Sequence, residues 1–507
     1  MRALLRSPAV AVALLACTLA LALLGTRGIW DADEGRYSNV ALNMLHSGDW
    51  LTPRRSEDVA HWTKPPLTYW AIAASVAVFG PSPWAARLPS ALAYLLSVLL
   101  VWRLAARLFP ERPELPAQAA LLYATMLAPF GVSQWISTDF PLAACEALAV
   151  WAFVEARAHP PGQGKRWIAA MWAGFALAFM TKGPPGLLPL PALLLFNAVT
   201  PGPPRRALQL SGLVLFVVLA LPWYLAVIHG HPGLLQYFVG DEVVKRVASD
   251  AFGRNAQWYG WAVAYAPILV LGTLPWTPAL ARWAWQLPRQ LRQWWRDPAQ
   301  RLYQAAPLLL TLWLLVPLLV LCLSRSRLPL YVLPLFVPLA LLAAWQRVQE
   351  RRAPWRWPWL LGWCALLLAL KLALALLPTH KDADAWAQAI AQRAGAPVRE
   401  VVFVEDMARY GLRLELGAQV RKIRLDPLPD APRFGPEYDA DLATVLRQPR
   451  AGRVWVCKDV AWPQVAARIA AQGAQGAQVQ ALGTPYQGRV LFRVLPGSVA
   501  AAADRDR

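Results

Sequence analysis

The chain has 507 residues, 57% of them hydrophobic, with a formal net charge of +20 at neutral pH. Repeated apolar stretches of membrane length exclude a soluble class, and the positive charge, which alone would suggest nucleic acid, falls mainly in the links between those stretches. Five scattered cysteines, with no ligand or framework spacing, exclude a disulfide scaffold or a cysteine metal site.

In chain order the candidate spans are Pro8 to Gly25, Leu88 to Trp102, Pro116 to Gly131, Phe140 to Val154, Trp167 to Met180, Leu187 to Val199, Leu208 to Ile228, Trp258 to Trp276, Pro307 to Leu323, Leu328 to Trp345 and Trp357 to Leu377. The first follows Arg2 and Arg6 as a secretion signal would. It has no small-x-small cleavage site and further spans follow, so it reads as an uncleaved helix. The run Leu67 to Gly80, short and bracketed by prolines, reads as a juxtamembrane or re-entrant helix. The expected fold class is therefore an all-α polytopic membrane protein of about eleven to thirteen transmembrane helices plus juxtamembrane helices, in residues 1–377. Residues 378–507 read as a small soluble α/β domain. Val401 to Val404, Val454 to Val456 and Val490 to Val494 are its strands, and Asp384 to Arg393 and Trp462 to Gln472 its helices.

Arginine sets the orientation. With the N-terminus inside and Leu67 to Gly80 not crossing, the inner links carry Arg2 and Arg6, Arg103, Arg107 and Arg112, Arg157, Lys165 and Arg166, Arg205 and Arg206, the run from Arg282 to Arg301, and Arg347, Arg351, Arg352 and Arg356. That is a positive-inside pattern, and letting Leu67 to Gly80 cross would move the Arg289 cluster outside. The same assignment puts Asp33 to Tyr37, Lys64, Asp139, Lys182, Asp241 and Glu242 with Arg246, and Arg325 with Arg327 on the outer face.

Each outer position has a functional and a plainer explanation. Tyr37, Val40, Ala41, Met44 and Leu45 recur at helical spacing and describe an amphipathic helix suited to lying in the membrane interface, with Asp33, Glu34 and Arg36 in its first turn. The acids serve equally as caps of that helix, with Arg36 as their counter-ion. Lys64 precedes Pro65 and Pro66, which hold it extended, where it can grip a phosphate or snorkel toward headgroups. Asp139 opens one span and Lys182 closes another, and both positions also suit the helix dipole. Arg325 and Arg327 lie on the cation-poor side, which points to an anionic partner: a phosphate or a lipid headgroup. Lys371, inside the last span, lies near enough to its outer end to snorkel.

Taken in order, Asp33-Glu34-Gly35-Arg36-Tyr37, Gly48-Asp49-Trp50, Lys64-Pro65-Pro66, Asp139, Thr181-Lys182-Gly183, Asp241-Glu242 and Arg327-Leu328-Pro329 with Tyr331 and Pro334 resemble the GT-C glycosyltransferases. The pattern is most similar to the bacterial lipid A aminoarabinose transferases, relatives of the protein mannosyltransferases. The resemblance implies an inner-membrane enzyme, multi-pass, with a cytoplasmic N-terminus and a periplasmic C-terminal domain. It would move a sugar from a polyprenyl (undecaprenyl) phosphate donor to an envelope acceptor such as lipid A. It implies Asp33 and Asp139 at the reaction centre, and Lys64, Lys182, Arg246 and Arg327, with Tyr331, around the lipid phosphate; Glu34, Arg36, Tyr37 and Arg325 are further candidates for binding substrate or phosphate. Where the family usually carries a Glu and a His, both candidate ligands of a divalent metal, this chain has Thr63 and Val243, which removes that support for a metal and leaves the donor sugar open. Two other activities fit the same pattern: a protein O-mannosyltransferase-like transfer, and a lipid-linked sugar transporter or flippase. Mid-span polar residues and inverted repeats would mark the transporter.

Overall fold

The structure is a computed structural model, and it describes residues 7–160, 163–200, 207–249, 253–351, 356–429, 434–473 and 477–495. The inner-link cations Arg2, Arg6, Arg205, Arg206 and Arg352 lie outside the described residues, as does the side chain of Arg246. Contacts divide the chain into two compact units that do not follow its order. One holds 1–24, 64–68 and 87–373, and the other holds 25–63, 69–86 and 374–507.

The first unit is helical. Among the described residues of the whole chain, five helices are long and apolar enough to cross a membrane: Pro83–Leu108, Leu210–Gly230, Ala305–Leu323, Pro329–Gln349 and Trp357–Leu376. Shorter apolar helices run over Pro8–Leu21, Leu67–Phe79, Pro184–Val199 and Gly260–Leu271. Asp139–Ala158 and Lys165–Lys182 are of similar length but carry charge at their ends or within them. The apolar run from Pro116 to Gly131 is not one helix: it breaks at Met126, whose ψ of 137° is extended. The amides of Leu127 and Ala128 then donate to the carbonyls of Leu274 and Gly272 at 3.1 and 2.9 Å. A lipid-buried break is tolerated only when protein satisfies the freed groups in this way. Lys371 does not snorkel. It is 8% exposed and its ammonium donates to the carbonyl of Ala22, just past the end of the Pro8–Leu21 helix.

The second unit is built on a six-stranded sheet: β1 Glu400–Val404, β2 Gln419–Arg424, β3 Ala440–Asp441, β4 Arg453–Lys458, β5 Gln478–Ala481 and β6 Arg489–Leu495. Its order is β3-β2-β1-β4-β6-β5, with β3 to β4 parallel and β6 antiparallel to both β4 and β5. β1 reads as an unbroken apolar run because both its faces are covered. Val401 and Phe403 pack with Trp386 and Ile390 of the Ala383–Ala394 helix, while Val402 and Val404 pack with Leu442, Val465 and Ile469. Asp382 and Asp441 cap their helices through the amides of Asp384 and Thr444 at 3.1 and 2.8 Å.

The helix Asp33–Ser47 belongs to this unit and departs from the interfacial helix the spacing describes. Val40, Ala41, Met44 and Asn39 are all at or below 1% exposure, so it is packed on nearly every side. Its polar side chains bond inward: Asn39 donates to the Arg55 carbonyl at 2.6 Å and Asn43 to that of Arg54 at 3.2 Å. Gly48, with φ of +70°, ends the helix in the left-handed conformation that an L side chain resists.

Candidate active site

In the sheet-bearing unit, the first turn of the Asp33–Ser47 helix carries three charged side chains with three different fates. Glu34 turns inward and is 4% exposed; its carboxylate accepts from Arg27 Nη1 at 2.8 Å and from the Trp30 amide at 2.9 Å. Arg27 in turn lies 4.2 Å from the Trp30 ring centre. Glu34 thus fastens the approach to the helix, and its observed partners are this internal cation and amide. Asp33 turns outward, its side chain 76% exposed and paired with Arg36 one turn on. Burial works against the Arg36 charge, but Tyr37, Asp33 and Tyr69 around it hold its pKa above the usual arginine value. The Arg36 guanidinium sits 5.8 Å from the Tyr37 ring centre, and Tyr37 and Tyr69 have ring centres 5.7 Å apart. The result is an accessible carboxylate whose position is set by a cation anchored among aromatic rings.

In the helical unit, Asp139 begins one helix and Lys182 ends another, and the two form an ion pair with both side chains largely buried. Gly183, φ +74°, then turns the chain away. The Lys182 ammonium also lies 4.4 Å from the ring centre of Tyr331, a cation–π contact. The Tyr331 hydroxyl accepts from Arg254 Nη1 at 3.3 Å. Asp139, Lys182 and Tyr331, three of the sequence candidates, thus come together with Arg254. Arg254 was not among the sequence candidates: it stands in a link with no motif, and only its fold partner Tyr331 reveals it.

Arg327 occupies a different place from a phosphate ligand on a surface. It is 4% exposed, and its Nη1 donates to the carbonyls of Asn255 and Gln257 at 2.7 Å each while Nη2 donates to that of Cys322 at 2.9 Å. Its fork closes the 254–257 loop onto the end of the Ala305–Leu323 helix. Arg325, by contrast, is exposed, its amide bonded to the Val247 carbonyl at 3.1 Å. Lys64 is half-buried beside Pro65 and Pro66. Sequence reasoning also passed over Glu146, 2% exposed within the Asp139–Ala158 helix and with an Oε1 that has no hydrogen-bond partner among the described residues. A carboxyl inside an apolar span is the signal that could have found it.

The residues do not fit a divalent metal. Among the described residues no three His, Cys, Asp or Glu side chains gather as a ligand set. The Thr63 hydroxyl is hydrogen-bonded to His61 Nε2 at 2.8 Å, and Val243 sits in a π-helical stretch, Tyr237–Lys245, where Asp241 pairs with Lys245 and Glu242 accepts from Tyr237.

Residues 63–229 match the family model described as dolichyl-phosphate-mannose-protein mannosyltransferase. An undecaprenyl phosphate-alpha-4-amino-4-deoxy-L-arabinose arabinosyl transferase 2 of Pseudomonas fluorescens (strain Pf0-1) is 33% identical over 328 residues, covering 63% of this chain and 56% of the relative. The corresponding transferase of Pseudomonas aeruginosa (strain UCBPP-PA14) is 34% identical over 345 residues, covering 65% and 57%. The chain thus spans a little over half the length of these curated relatives. In three dimensions it is similar to the crystal structures of ArnT from Cupriavidus metallidurans in the apo state and bound to undecaprenyl phosphate. Their TM-scores are 0.69 and 0.67 and their identities 20% and 21%, each covering 95% of this chain and 96% of the other. The fold, helical membrane part and α/β part together, is that of these proteins.

Proposed function

We propose that the chain is a member of the GT-C, aminoarabinose transferase-like family and that it transfers a sugar from a polyprenyl phosphate donor to an envelope acceptor, lipid A or another glycan or lipid. The observation that carries this reading is the contrast within one helix: ten of fifteen residues of Asp33–Ser47 are buried, yet the Asp33 carboxylate is held open to solvent by Arg36. An accessible, positioned carboxylate can orient an acceptor group and accept its proton.

The donor leaves as a lipid phosphate, so the step builds anionic charge that cations must meet. Lys182, braced by Tyr331, with Arg254, Lys64, Arg325 and Arg246, supplies it in this reading, while Asp139 holds Lys182 in place. Attack opposite the departing phosphate inverts the anomeric centre, which NMR of the product checks. The reaction faces the periplasm, with the N-terminus in the cytoplasm, an orientation supported by the arginines of the inner links and testable by cysteine labelling from either side.

The deciding experiment is Asp33→Asn in the full chain in lipid nanodiscs, assayed with an undecaprenyl-phosphate sugar and lipid A. Loss of transfer from a normally folded protein supports the assignment, and retained transfer overturns it. Transfer to a peptide hydroxyl in place of lipid A would move the reading to the mannosyltransferase-like alternative.

A further inference from the structure

Immediately before the Asp33 helix lies a second aspartate with no part in the proposed chemistry. Asp31 is 2% exposed, and its two carboxyl oxygens lie 3.1 and 3.3 Å from the amide of Gly411, 380 residues further along the chain. The Asp31 amide donates to the Lys381 carbonyl at 2.9 Å, and the Ala383 amide donates to the Ile29 carbonyl at 2.9 Å. Residues 29–31 are thereby strapped to the start of the Ala383–Ala394 helix and to the segment that follows β1.

Two glycines make the joint close. A Cβ on Gly35 would stand 1.8 Å from Asp31 Oδ1 and 2.5 Å from the Gly411 nitrogen. One on Gly411 would stand 2.6 Å from the Ala383 Cβ and 3.1 Å from Asp31 Oδ2. Because backbone and carboxyl fill this space, any side chain at either position forces the first turn of the Asp33 helix away from the 406–411 segment. Asp33 and Arg36 flank Gly35 in that turn, so displacement of the joint moves them directly.

We propose that Asp31 is a positioning residue: by bonding Gly411 it lets the C-terminal α/β domain fix the direction of the Asp33 carboxylate. The consequence for transfer rests on the proposed function above. The joint itself does not. The groups facing Asp31 are Arg409 and Tyr410 from the segment after β1, and Glu34 from the helix. Burial pushes the Asp31 carboxyl up to about 8, against the lowering effects of the Gly411 amide and of Arg409, while Glu34 adds to the rise. A group with its folded pKa raised stabilises the joint while protonated and loses that contribution as pH climbs through the folded value. The joint therefore has its full stability only below about pH 4, the ordinary aspartate value, and loses it progressively as pH climbs to about 8, so that it is tighter at pH 6.5 than at pH 9.

The test uses the full chain in nanodiscs, with hydrogen–deuterium exchange over residues 31–45 and 405–416 alongside the transfer assay, at pH 6.5 and 9. Asp31→Asn keeps the acceptor and removes the charge. It is expected to retain exchange protection and rate at pH 6.5 and to abolish the wild-type loss of both at pH 9. Asp31→Leu and Gly411→Ala are expected to raise exchange at 31–45 at both pH values and to lower kcat at least tenfold with donor KM unchanged, a pattern typical of lost transition-state alignment. Unchanged exchange at 31–45 in Asp31→Leu overturns the joint whatever the activity. Raised exchange with an unchanged kcat overturns the positioning role alone. A wild-type protein that transfers no sugar, yet shows the expected exchange changes, counts against the proposed function and leaves the joint supported.

Discussion

Two aspartates begin two helices in the two units of the molecule, and they are treated in opposite ways. Asp139 is 8% exposed and closed by Lys182; Asp33 has a side chain 76% exposed beside Arg36. A buried, paired carboxylate is committed to its partner, because parting them strands a charge in a poor solvent. An exposed one keeps free lone pairs for a third group. The family resemblance implied both at the reaction centre; the structure separates an exposed aspartate paired with Arg36 from a buried one paired with Lys182.

Substitutions can break or sharpen that contrast. The largest effect is expected from Asp33→Asn, which should lower transfer by roughly 10² to 10⁴-fold, the usual span for a general base, while thermal unfolding stays unchanged. Lys182→Ala should cost about 3 to 5 kcal/mol of stability by leaving Asp139 buried alone, and the double variant Lys182→Ala/Asp139→Asn should recover part of it in a thermal melt. Recovery of stability without recovery of transfer would show that Lys182 works on substrate as well as on Asp139. Arg327→Lys trades a fork serving three carbonyls for a single ammonium, and each lost bond to a charged group is worth about 1.5 to 3 kcal/mol before relaxation. It should destabilise the protein and leave donor KM untouched if Arg327 only staples its loop. A rise in donor KM would return it to the phosphate. The smallest effect is expected from a chelator: dialysis against EDTA should leave the rate unchanged, since Thr63 and Val243 supply no ligands.

The parts of this architecture carried by local pattern were legible in advance. Helices were expected at Asp384 to Arg393 and Trp462 to Gln472, and they stand at Ala383–Ala394 and Trp462–Gln472. The three apolar strands were equally plain. β2 was not, because Arg421 and Lys422 look like surface; in the fold Arg421 is 3% exposed and bonds Glu400 of β1 at 2.9 Å, with Asp58 at 3.1 Å on its other side. The Asp33 helix was read from its spacing, but its near-complete burial was not, since the carbonyls that satisfy Asn39 and Asn43 come from a later turn of the loop. In the candidate site, Asp33 and Lys182 stood out as charges beside a membrane. Arg254, Asp31 and Gly411 did not, because each matters only through a residue far away in the chain.

The bond between Asp31 and Gly411 also has a consequence in time. The first strap residue leaves the ribosome 380 residues ahead of its partner. At 5 to 20 residues per second that is a wait of roughly 20 to 80 s. Until Gly411 is made, the turn bearing Asp33 lacks this partner to close on. A nascent chain already threaded into the bilayer would carry the Asp33 turn unaligned until Gly411 had been made.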